Sequence, residues 1–175
     1  SFSPTSSDAS TTCIYIDIRS VYRGSLINRK LVHVTDLPKR ARRRVQPHDI
    51  LFSRVRPSLR AYVHITPAMY ASFPTDTVVC STGFTVIRAT AVLPEYLYSQ
   101  LCSDRVIDGI AERSFGTNYP EVRKYSINSI PIHCPSMPEQ AAWLREKTIN
   151  AAYKEWNRLK KVFAELGIDP ETINI

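Results

Sequence analysis

Five of the six residues in Lys39-Arg-Ala-Arg-Arg-Arg44 are cationic, and no acid stands among them. A run of this kind suits contact with phosphates, which bind cations strongly but look alike at every base pair. Its chemistry would be affinity for a polyanion, from Lys39, Arg40, Arg42, Arg43 and Arg44. A second group, Arg54, Arg56 and Arg60, straddles Pro57 between two apolar stretches. Guanidinium forks on a proline-fixed turn can bond guanine O6 and N7 in pairs. They can equally pair with Asp49 or another acid and serve the fold, and the residues leave both readings open. A third group, Thr117, Asn118 and Tyr119, lies between Gly116 and Pro120. Asn118 has the donor and acceptor needed to read adenine. By themselves these residues favour an ordinary Asx-type turn.

The elements that must carry these groups change character along the chain. Cys13–Ile18 alternates β-branched and polar residues as a strand does, and Leu31–Val34 is a short second strand. Asp36–Gln46 reads as a basic loop punctuated by Pro38 and Pro47. Apolar stretches at 50–53, 61–65, 77–80 and 84–88 make the first half mostly β. Pro94 is placed to open a helix, and Leu97/Leu101 and Val106/Ile110 fall four apart, giving one or two helices up to Ser114. A short extended piece is expected from Ile127 to His133.

Beyond Met137 the pattern becomes one long helix, closed by Gly167 with Pro170 three residues on. Ala142, Ile149, Trp156 and Phe163 form one heptad position; Arg145, Ala152, Leu159 and Leu166 form another. Such a narrow apolar seam is that of a coiled coil, so Ala142, Ile149, Ala152, Trp156, Leu159, Phe163 and Leu166 are expected to pair with a second helix. The expected organisation is α+β: a leader at 1–12 that reads as disordered, a β-rich globular domain at 13–138, the pairing helix at 139–166 and a tail at 167–175.

The charge pattern narrows the class of partner. Between Arg19 and Arg60 stand twelve Lys or Arg against two acids, Asp36 and Asp49, so this segment carries +10 while the rest of the chain nets −3. Concentration into a quarter of the chain points to a polyanion-facing surface. No apolar run approaches a membrane span, and the Ser/Thr-rich start lacks the layout of a signal peptide. The absent initiator methionine points to a processed chain or a piece of a longer one.

Catalytic patterns are absent: no G-x-S-x-G, H-E-x-x-H or G-x-x-x-x-G-K-[ST] occurs. Asp49, Asp76, Glu112 and Glu121 are the carboxylates from which a metal-dependent nuclease would have to be built, and their spacing does not ask for one. Cys13, Cys80, Cys102 and Cys134 include no close pair, so no metal site is expected. Cys13, Cys80 and Cys134 read as buried thiols, which suits a reducing compartment.

In order along the chain, several stretches resemble one family. They are Cys13–Ile18; Arg40-Ala-Arg-Arg-Arg-Val-Gln-Pro-His-Asp-Ile-Leu-Phe-Ser-Arg-Val-Arg-Pro57; Cys80-Ser-Thr-Gly-Phe-Thr-Val-Ile-Arg88; Pro94–Tyr98; Gly116–Pro120; and Ile130–Gln140. Together these are similar to the DNA-specificity subunits of type I restriction-modification systems. His48 departs from the pattern, which has glycine there, as does Cys134. The chain also has one domain and one long helix where the full subunit has two of each.

The resemblance implies a non-catalytic module that reads half of a bipartite duplex DNA site from the major groove. It adds Thr117, Asn118 and Tyr119 to the candidate DNA contacts. It implies modification subunits and a restriction subunit as partners, with S-adenosylmethionine, ATP and Mg²⁺ used by those partners and no cofactor in this chain. A homodimer through the long helix and a cytoplasmic, prokaryotic setting are further expectations. The recognition portion of a fused restriction-methylation enzyme is the alternative, and a metal-dependent nuclease a second one.

Overall fold

The computed structural model describes Phe2, residues 11–116 and residues 120–166. The chain divides into two compact units, Ser1–Cys134 and Pro135–Ile175.

In the first unit, a mixed four-stranded sheet has the order β4-β1-β8-β5, from strands β1 (Thr12–Ile16), β4 (Lys30–His33), β5 (Ala41–Arg44) and β8 (Val78–Ser81). β1 and β8 run parallel, and the other pairs are antiparallel. A second, antiparallel sheet has the order β7-β6-β9, from β6 (Ile50–Ser53), β7 (Tyr62–His64) and β9 (Phe84–Ile87). A two-residue hairpin joins β2 (Val21–Tyr22) to β3 (Ser25–Leu26). Arg23 and Gly24 at its tip have φ of 43° and 89°, as a type I′ turn requires. A Cβ on Gly24 would also lie 2.5 Å from the Tyr98 hydroxyl, so this position has no room for a side chain.

The three-stranded sheet is the middle layer, which explains why Ile50-Leu-Phe-Ser53 is buried at every position instead of alternating. Leu51, Val63 and Phe84 pack with Ile14, Ile16, Val78 and Cys80 of the four-stranded sheet. Ile50 and Phe52 face the other way, onto helices α2 (Pro94–Leu101), α3 (Asp104–Glu112) and α4 (Lys124–Asn128) through Leu97, Leu101, Ile107, Ile110 and Ile127. A one-turn helix α1 (Pro67–Ala71), capped by the Thr66 hydroxyl, follows β7.

Four expectations need correction. The basic run is no loop: Ala41–Arg44 forms edge strand β5 on β8, with a register shift between Ala41 and Arg43. Strand pairing uses only backbone groups, and buried Ala41 and Val45 anchor its ends. The stretch from Ile127 is not extended at its start, because α4 turns Ile127 into the helix-side core. Phe2, placed in a leader read as disordered, packs beside Tyr15 and Ala41 and donates its N–H to Arg42 O at 2.8 Å; the rest of residues 1–10 lies outside the described residues. Cys134 is exposed, whereas Cys13 and Cys80 are buried, and burial pushes the Cys80 thiol up to about 12.

The second unit contains α5 (Met137–Glu165). Ser136 caps it: its N–H donates to Glu139 Oε2 at 2.8 Å, the reach-back half of a capping box. Twenty-nine residues extend about 43 Å. All the expected seam residues are exposed except Phe163, which is half-buried. Tyr153 and Val162, at 65% and 42% exposure, widen the stripe on its flanks.

At the start of the middle sheet's central strand, Asp49 is fully buried and takes a two-pronged contact from Arg88, Nε and Nη2 each at 2.8 Å. Arg88 is half exposed, so the two ends of this pair are not equivalent. Removing the arginine strands a buried carboxylate; removing the carboxylate returns the arginine to water. Arg88→Ala is therefore expected to cost about 3 kcal/mol in urea unfolding. Adding Asp49→Ala should recover part of that loss, and a simple sum of the two single effects would contradict the pairing.

Candidate nucleic-acid interface

The cationic residues fall into two kinds once their partners are known. Arg54 and Arg60 are engaged by acids. Arg54 Nη1 lies 3.3 Å from Glu121 Oε1, and its Nη2 donates to Thr82 O at 2.9 Å. Arg60 Nη1 lies 2.6 Å from Asp104 Oδ1, and its Nη2 is 3.7 Å from Asp108, so it ties the 3₁₀ turn Pro57–Leu59 to α3. The arginine-for-fold alternative describes both side chains. By contrast, Lys39, Arg40, Arg42, Arg43 and Arg44 form no salt bridge among the described residues.

Strand β5 sets the direction of that free charge. Ala41 and Val45 are buried, Arg42 and Arg44 are exposed, and Arg43 is half-buried. Arg43 Nε is buried with no hydrogen-bond partner. Arg42 Nε donates to Lys39 O at 2.8 Å, and Arg40 Nε donates to the Tyr15 hydroxyl at 3.1 Å. The Tyr15 hydrogen bond raises the Arg40 pKa above the ordinary guanidinium value.

Two clefts share the tight connection between β8 and β9. One, of about 560 Å³, is lined by Arg42, Arg43, Arg44, Gln46, Thr82 and Arg88. The other, of about 800 Å³, includes Lys30, Arg40, Arg54, Arg56, Thr82 and Glu121. Thr82 belongs to both, and its N–H donates to Arg40 O at 2.8 Å. In the second cleft Asp17 is counterbalanced: burial alone would raise it, but Lys30 at 3.1 Å and hydrogen bonds from Ser20 hold it below the ordinary carboxylate value.

Arg56 stands at the junction of the second and third sequence groups. Its backbone is left-handed at φ 48°, uncommon for a residue other than glycine. Its N–H donates to Pro120 O at 2.7 Å. Phe115 and Glu121 exchange both backbone hydrogen bonds, at 3.0 and 2.9 Å, and Val55 bridges to Glu121. Thr117, Asn118 and Tyr119 lie outside the described residues. Their two flanks, Gly116 and Pro120, are thus held beside Arg54–Arg56. Arg123 lies over the exposed Phe115 ring at 5.4 Å.

Sequence reasoning missed Arg88 and Lys30 as members of these surfaces. Arg88 was visible as a charge ending a buried strand, but its cleft could not be seen without the sheet order. Asp49, Asp76, Glu112 and Glu121 do not gather into a ligand cluster among the described residues. No helix among them is long and apolar enough to cross a membrane.

No family model matches the chain. It is 31% identical over 136 aligned positions to the specificity subunit of type I restriction enzyme HindI from Haemophilus influenzae, covering 72% of this chain and 28% of that protein. The HsdS subunit from Thermoanaerobacter tengcongensis superposes with a TM-score of 0.71 at 29% identity, over 90% of this chain and 40% of that one. A chain from structural work on complex assembly and conformational transition of the type I R-M system gives 0.72 at 27% identity, over 93% and 41%. The chain therefore spans less than half the length of each of these proteins. The sequence likeness and the shared α+β fold with its long helix agree, and together they support a domain of a type I restriction-modification specificity subunit.

Proposed function

We propose that this chain binds duplex DNA in a sequence-specific manner, reading half of a bipartite site for a type I restriction-modification complex, and is itself non-catalytic. The observation that carries this reading is the contrast between arginines. Those of β5 have no acid partner among the described residues and line a cleft, whereas Arg54 and Arg60 are spent on Glu121, Asp104 and Asp108. Arg42, Arg43, Arg44 and Lys39 supply phosphate affinity. Arg56 and the residues Thr117, Asn118 and Tyr119, whose flank Pro120 accepts from the Arg56 N–H, supply base discrimination. Arg54 and Arg60 brace the turn that presents Arg56. Adenine methylation with S-adenosylmethionine and ATP-driven, Mg²⁺-dependent cleavage fall to the modification and restriction subunits, in a prokaryotic cytoplasm.

The helix supports the second half of the reading. An apolar stripe of Ile149, Trp156, Leu159 and Leu166, each 39–66% exposed, is the seam of a coiled coil awaiting a partner. The partner is a second long helix, supplied by another copy of this chain or by a longer specificity subunit. It sets the spacing between two half-sites and forms the dock for modification subunits.

Selection from a random duplex library should return one short motif. Recovery of no motif at any salt concentration rejects sequence reading. Arg56→Ala should relax one position of that motif, with a loss of about 1–3 kcal/mol for the preferred base. Arg42→Ala with Arg44→Ala should weaken binding to all sequences alike. The salt dependence should become shallower by about one unit of slope for each phosphate these arginines no longer neutralise.

Sedimentation equilibrium tests the helix. The chain should dimerise reversibly, and Trp156→Glu with Leu159→Glu should leave a folded monomer. A wild-type chain that stays monomeric, and that also fails to bind a synthetic copy of α5, excludes the pairing seam.

A further inference from the structure

One cluster in the first unit is used by none of the chemistry above. His48 lies in the β5–β6 connection, His64 ends β7, and Glu95 lies in the first turn of α2. Each offers one ligand atom, and the three atoms lie within 4.8 Å of one another. His48 Nδ1 and Glu95 Oε1 are 3.8 Å apart. His64 is only 7% exposed, and its Nε2 is buried without a hydrogen-bond partner, an arrangement that costs free energy unless something bonds there.

The geometry points to a divalent-metal site of the zinc class formed by His48, His64 and Glu95. Two borderline imidazoles and a carboxylate oxygen make a donor set that Zn²⁺ takes. At metal–ligand distances near 2.0–2.1 Å, neighbouring ligand atoms of a tetrahedral site stand roughly 3.3 Å apart. The 3.8 Å pair is already close to that spacing. The remaining closure falls to His48 and Glu95, whose side chains are 47% and 48% exposed and can rotate inward, while His64 is fixed by its surroundings. Three protein ligands leave the fourth position to water, on the exposed side of the cluster. Burial lowers the His64 pKa, which keeps the imidazole neutral, the form that binds metal.

The backbone at His48 supplies an independent reason to look here. Its φ is 67°, in the left-handed region where glycine is the easy choice. Its N–H still donates to Ile65 O at 2.7 Å, so the connection is held in this form. A histidine that keeps a glycine conformation is explained if its side chain is needed. An ion bound there would clamp three elements: the β5–β6 connection, the end of β7 and the start of α2.

Cobalt(II) titration of the tag-free chain tests the site, because tetrahedral Co²⁺ absorbs intensely in the visible range. One equivalent should bind, Zn²⁺ should displace it, and thermal unfolding should shift upward with either ion. His48→Gly removes a ligand while giving the backbone the residue it prefers, so the variant should fold at least as stably without metal. It should bind Co²⁺ at least roughly tenfold more weakly, as should Glu95→Gln, while His133→Ala should bind like the wild type. Absence of a one-equivalent site in the wild type overturns the proposal. So does unchanged affinity in both His48→Gly and Glu95→Gln, or loss of the site in His133→Ala.

Discussion

The buried carboxylate of Asp49 is the point on which the first unit is registered. It has no solvent contact, yet it accepts from both prongs of Arg88 and from the Gln46 N–H at 2.8 Å. Its own backbone carbonyl accepts from Ile65 N at 2.9 Å. These bonds join the first residue before β6, the end of β9, the end of β7 and the connection leading from β5. A buried charge is stable only if its lone pairs are filled, so the four segments cannot shift independently. The same residue thus fixes where the basic strand leaves the sheet and where His48 must turn.

A division of labour among like residues follows. The chain has many arginines, and their chemistry is identical; burial and acids sort them. Arg88, Arg60 and Arg54 have carboxylates at 2.8, 2.6 and 3.3 Å, and each closes a junction between elements. A guanidinium so engaged keeps part of its fork but loses freedom, which makes it a brace for neighbours that lack such partners. The β5 arginines form no salt bridge among the described residues, which leaves their charge available to a partner under the proposed function. Net charge alone does not draw this line, since it counts a brace and a contact equally.

Much of the frame was legible because it rests on periodicity. The first strand, found at Thr12–Ile16 where Cys13–Ile18 was expected, the helices after Pro94 and the long helix α5 follow from spacing, and the ordered motifs pointed to the family. What escaped depends on contacts distant in sequence. Arg40–Arg44 looks like a loop because its side chains are polar, while its strand character comes from the backbone of β8, about 40 residues on. Arg54 and Arg60 find partners at 121, 104 and 108, which no local pattern reveals. The His48–His64–Glu95 cluster is invisible for the same reason: its spacings of 16 and 31 residues match no metal motif.

The placement of the basic run on an edge strand answers two physical requirements together. An open sheet edge exposes unpaired N–H and C=O groups and invites another strand. On β5 that edge is defended: among the described residues only the Phe2 N–H bonds to it from outside, and a register shift disturbs its line. Arg42, Arg43 and Arg44 add like charge, which repels a second copy of the same edge. A loop could carry the same charges, but it would surrender more conformational freedom on binding a polyanion. On a strand anchored by Ala41 and Val45 that entropy is already lost in folding, so under the proposed DNA-binding function the residues that guard the edge are also preorganised for phosphate.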